Sequence, residues 1–74
     1  MNAVDTMNLK FLRSKLGEMT SQDALDEAVE NDKMASGMHW TDPAKARFVR
    51  LRDSLFEYAR LLEIEEKENA ATSN

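Results

Sequence analysis

"DPAKARFVRLRDSLFEYARLL", residues 42–62, is the longest stretch of the chain with a single unbroken apolar period. Ala44, Phe48, Leu51, Leu55, Tyr58 or Ala59, and Leu62 recur at spacings of three and four. Val49 and Phe56 widen the stripe. Asp42 suits a helix N-cap, and Pro43 suits the first helical position, where a missing N–H is no loss. Beyond Glu65 the apolar signal stops. The pattern predicts a helix over about 43–66, roughly 36 Å long, followed by "KENAATSN" as a frayed polar tail over 67–74.

Two shorter amphipathic runs precede it. Asp5 or Thr6 can cap a helix over about 5–16 that carries Met7, Leu9, Phe11, Leu12 and Leu16 and ends at Gly17. "TSQD", residues 20–23, has the spacing of a capping box, in which Thr20 and Asp23 satisfy each other's backbone donors. Leu25, Ala28, Val29 and Ala35 then line one face of a helix over about 21–35, and Gly37 stops it. With no strand pattern, the expectation is one small all-α domain of three helices, the first two lying antiparallel on a long C-terminal spine. The far end of that spine, with Leu61, Leu62 and Ile64, either overhangs as an apolar surface or packs against the first helix.

Seventy-four residues with no cysteine form a thin core with no disulfide or thiolate site to reinforce it. Such chains often gain stability from a partner. No signal-peptide pattern is present, and no apolar run reaches the length of a membrane span. A soluble cytoplasmic protein without a membrane role is expected. The net charge is −4 with 32% charged residues, which disfavours general affinity for nucleic acid.

Charge is nonetheless sorted along the chain. Asp23, Asp26, Glu27, Glu30 and Asp32 make the second helix acidic, whereas Lys45, Arg47, Arg50 and Arg52 crowd the start of the third. Those bases, and the acids Glu63, Glu65, Glu66 and Glu68 at the other end, oppose the macrodipole of their own helix. Something must compensate: acids of the second helix facing those arginines, a partner of opposite sign, or both.

No catalytic constellation emerges. His39 is the single histidine, so a metal site would rest on it and carboxylates such as Asp42, and none is expected. The serines lack a nucleophile-elbow context, and no glycine-rich phosphate cradle exists. The basic cluster of the third helix has Phe48 and Phe56 interleaved, but both fall on or beside the apolar stripe and read as core rather than base-stacking platforms. Direct nucleic-acid binding is disfavoured, and no enzyme activity or cofactor is indicated. A structural alternative pairs the third helix with a second copy along Phe48, Leu51, Leu55, Tyr58 and Leu62, a near-heptad seam.

The connection "MASGMHWTDPAKARF", residues 34–48, gathers the only histidine, tryptophan and proline. Gly37, Asp42 and Pro43 are helix punctuation. Trp40 is not, and it has two readings: a cover for the end of the core, or an exposed anchor for a partner. With only five aromatic residues in the chain, the core reading is favoured.

"NLKFLRSKL", then "DALDEAVENDK" with Leu25, the acid after it, Glu30 and Lys33, then Phe48 with Asp53 five residues on, resemble the Hha/YmoA family of small bacterial nucleoid-associated modulators. The resemblance covers residues 9–62. It implies an all-α protein with little DNA binding of its own. It also implies docking on the N-terminal dimerisation region of H-NS-type silencing proteins, with Asp26 and Asp53 in the acidic contact roles. The sequence departs from the family in a longer connection before the third helix, in "FVRLR" at that helix's start, and in an acidic tail where the family has a short aromatic helix.

The functional expectation is a small non-catalytic regulator that binds a protein of the bacterial transcription or chromatin machinery, an H-NS-like silencer or RNA polymerase, and modulates gene expression. A phage-encoded inhibitor of a host enzyme such as RNA polymerase is the alternative. The candidate partner-binding residues are Asp26, Glu30, Asp53, Trp40, Arg47 and Arg50.

Overall fold

The computed structural model describes residues 1–72 and consists of three helices, α1 (Ala3–Leu16), α2 (Ser21–Ser36) and α3 (Pro43–Thr72). Among the described residues there is no strand. The molecule is a rod of 50 × 20 × 16 Å, set by the length of α3.

Local chemistry accounts for most of the boundaries. The Thr20 hydroxyl accepts from the Asp23 N–H at 3.1 Å, and the Asp23 carboxylate accepts from the Thr20 N–H at 3.4 Å, completing the capping box. Asp42 accepts from the Ala44 N–H at 2.9 Å, with Pro43 opening α3. α1 starts earlier than its capping pattern suggests. Asn2, not Asp5 or Thr6, is the cap: its side chain accepts from the Asp5 N–H at 2.8 Å, which leaves Asp5 inside the first turn. α3 also runs on to Thr72, so residues 67–72 of the expected frayed tail are helical. A good helix-forming composition, with a Lys67–Glu63 pair at 3.1 Å one turn back, sustains it without apolar burial. The last two residues of that expected tail, 73–74, lie outside the described residues.

α2 runs antiparallel along α3: Ser21 meets Glu66 at one end and Asp32 meets Arg52 farther along. The buried residues of α2 are all alanines, Ala24, Ala28 and Ala35. Leu25 and Val29, expected on the inner face, are exposed instead. The reason is packing geometry. Methyl groups let two helix backbones approach closely, and the larger side chains of α3 fill the space, so Leu25 and Val29 are turned to the edge of the contact.

α1 packs on the C-terminal half of α3. Leu9 and Leu12 join Tyr58, Ala59, Leu61, Leu62 and Ala24 in one cluster, with Leu16 and Met19 against it. Leu61 and Leu62 are therefore core against α1, Ile64 is half-buried, and residues 66–72 beyond them are exposed. Leu55, Tyr58 and Leu62 are buried as well. Three residues of the near-heptad seam offered for self-pairing are thus used inside the chain, whereas Leu51 is exposed and Phe48 half-buried.

The basic start of α3 opposes its own macrodipole and lies beside the end of α2; because α3 runs on to Thr72, its acids at 63–66 lie before the last turn. In an antiparallel pair, the end of one helix lies beside the start of the other, so a charge unfavourable to its own helix suits the adjacent one. Glu66, near the end of α3, accepts from the N–H and the hydroxyl of Ser21 in the first turn of α2, at 3.0 and 2.5 Å. Lys45, in the first turn of α3, donates to the Met38 carbonyl just past the end of α2, at 3.3 Å.

Candidate protein-interaction surface

The connection between α2 and α3 closes through a β-turn, in which the Asp42 N–H donates to the His39 carbonyl at 3.0 Å. Trp40 occupies the apex of that turn. It is 81% exposed, so it covers no part of the core, contrary to the core reading. The physical cause is its place at the apex of a turn that lies beyond the ends of both helices. His39 holds the turn from the side. Its Nδ1 lies 2.7 Å from the Thr41 hydroxyl and accepts from the Thr41 N–H at 3.2 Å. Its ring lies 5.7 Å from the indole at an interplanar angle of 30°.

The charged candidates fall in three places. Asp26 and Glu30 are exposed on α2, where Asp26 accepts from the Gln22 side chain at 2.9 Å. Asp53 is exposed on α3 and paired with its neighbour Arg52 at 2.9 Å. That arginine also reaches Asp32 of α2 at 2.8 Å, so one guanidinium links two helices and orients the Asp53 carboxylate. Both bonds raise the Arg52 pKa, that to Asp32 most. The expected matching of α2 acids with α3 arginines reduces to this pair. Among the described residues, Arg47 and Arg50 form no ion pair and both are exposed.

A second surface lies on the α1 flank. Val4, Met7 and Phe11, spaced three and four apart, form an outward stripe along α1, with Met7 72% and Phe11 59% exposed. Phe11, Leu12 and Leu16 line one wall of a groove of about 330 Å³, and Leu51 of α3 lines the other. Lys15 and Arg50 stand at its rim, with the Lys15 ammonium 5.3 Å from the centre of the Phe11 ring. This stretch of groove has no carboxylate. Where it continues past Ser54, Asp53 and Glu57 line it. Both are already paired, Asp53 with Arg52 at 2.9 Å and Glu57 with Arg60 at 2.7 Å. The bond from Arg60 holds the Glu57 carboxyl below the usual glutamate range.

The sequence pattern did not single out this groove, because Phe11, Leu16 and Leu51 sit on stripes that read as core. Phe56, also read as core, is exposed, and Phe48 is only half-buried. Of the five aromatic residues, Tyr58 alone is buried. No group of histidine, cysteine and carboxylate side chains among the described residues is arranged to hold a metal ion. No described helix is long and apolar enough to cross a membrane. Comparison with protein-family models, curated proteins and solved structures gives no match to this chain.

Proposed function

We propose that this protein is a small regulatory adaptor that binds a protein of the bacterial transcription or chromatin machinery and modulates gene expression. One observation carries the reading: of its five aromatic side chains the chain buries only Tyr58. Alanines and leucines fill the interior around Tyr58, while Trp40, Phe11, Met7 and Phe56 stand in solvent. Single exposed apolar residues are ordinary, but a tryptophan at a turn apex and a continuous stripe along a helix have the composition of contact sites.

The Hha/YmoA resemblance supplies the partner class, and the exposed carboxylate of Asp53 has the accessibility that such docking requires. Calorimetric titration of the intact protein against the purified dimerisation region of an H-NS-type protein, and separately against RNA polymerase, tests the reading. Binding in the micromolar range or tighter, weakened by Asp53→Asn or Trp40→Ala, supports it. Absence of binding to both overturns it.

A further inference from the structure

We propose that the groove between α1 and α3 receives an acidic amphipathic helix of the protein partner. The proposal rests on the reading above only in taking that partner to be a protein. The shape comes first: Phe11, Leu12 and Leu16 of α1 face Leu51 of α3, giving an apolar floor on which a helix can set side chains at i and i+3 or i+4.

The charge comes second. Arg13, Arg52 and Arg60 are each engaged with carboxylates of this chain. Among the described residues, Lys15 and Arg50 form no ion pair, and they stand over the one stretch of the groove that has no carboxylate. The carboxylates farther along, Asp53 and Glu57, are paired with Arg52 and Arg60, which they share with Asp32 and Asp5, so the positive charge is confined to the stretch under Lys15 and Arg50. A chain of net charge −4 thus presents a locally positive rim around an apolar floor. The complement of that surface is an apolar helix face flanked by acids. Nucleic acid fits poorly, since the floor is apolar and the acids of α2 and of the end of α3 repel a polyanion.

The test is a ¹⁵N-resolved NMR titration of the intact protein with a synthetic helical peptide carrying leucines at i, i+3, i+4 and i+7 and flanking glutamates. A control peptide has lysines in place of the glutamates. The expected result is a response at Phe11, Lys15, Arg50 and Leu51, absent with the lysine peptide. Lys15→Glu combined with Arg50→Glu should weaken it by about tenfold or more. Both residues are exposed and outside the ion-pair network, so the double variant keeps its helical circular dichroism.

No response up to millimolar peptide overturns the proposal, as does an equal response to the lysine peptide or one confined to the Leu25–Phe56 side. Sedimentation showing that a second copy occupies the groove overturns it too. If the peptide fails while Asp53-dependent binding to an H-NS-type domain persists, the groove assignment falls and the adaptor reading stands.

Discussion

The hydroxyl of Tyr58, fully buried in the middle of α3, donates to the carbonyl of Gly17 at 2.8 Å. One bond thereby ties the α1–α2 turn to the spine. It satisfies the single polar atom of the core's largest side chain. Burial raises the pKa of this phenol, so it remains a donor throughout the neutral range.

Tyr58→Phe keeps the ring and removes the tie. Leaving a carbonyl without its donor costs about 1 kcal/mol, which for a domain of this size lowers Tm by about 4–8 °C. Thermal denaturation followed by circular dichroism checks this. An unchanged Tm would mean that the turn is held by α1 packing alone.

The two glycines behave differently. Gly17 has φ 87° and ψ 171°, a conformation nearly closed to residues with a Cβ. Gly37 sits at φ −83° and ψ −4°, and a Cβ there would meet only backbone carbonyl oxygens, the nearer at 3.7 Å. Gly17→Ala is therefore expected to cost about 1–3 kcal/mol. Gly37→Ala should be neutral or stabilising by up to about 1 kcal/mol. Denaturant titration of both variants separates them.

Trp40 reports directly on the turn. Its emission in the free protein is expected at the wavelength of a solvated indole, with full access to acrylamide. Trp40→Ala should leave stability within about 0.5 kcal/mol. A blue-shifted emission, or a clear loss of stability, would contradict the exposed apex.

Acid should loosen the pairing of α2 with α3. The side-chain and backbone bonds from Ser21 of α2 lower the pKa of Glu66 on α3. A carboxylate whose folded pKa is depressed contributes stability above its unfolded pKa and loses it as pH falls through the folded value. Glu66→Gln is thus expected to lower Tm at neutral pH and to match the parent once Glu66 is protonated. Paired melts across the acid range check this. A difference that persists at the acid end would assign the effect to something other than the charge.

Much of the fold is legible in the residues themselves, because helix formation here depends on contacts a few positions apart. The Thr20–Asp23 capping box, Asp42 before Pro43 and the period of 42–62 require nothing beyond neighbouring backbone and side chains. They determine three helices and four of their six ends. The extension to Thr72 and the Asn2 cap depart from that pattern only because polar residues can continue or start a helix without an apolar mark.

What the sequence could not determine is which apolar residues face inward, since that depends on how closely two helices approach. Three alanines bring α2 tight against α3, and that closeness turns Leu25 and Val29 to the edge. The same approach sets Glu66 of α3 beside the start of α2, where its charge is favourable to that helix. The apolar groove with Lys15 and Arg50 at its rim likewise exists only once α1 lies on α3. Local chemistry decided the helices; distances between residues far apart in the chain decided which surfaces remain for a partner.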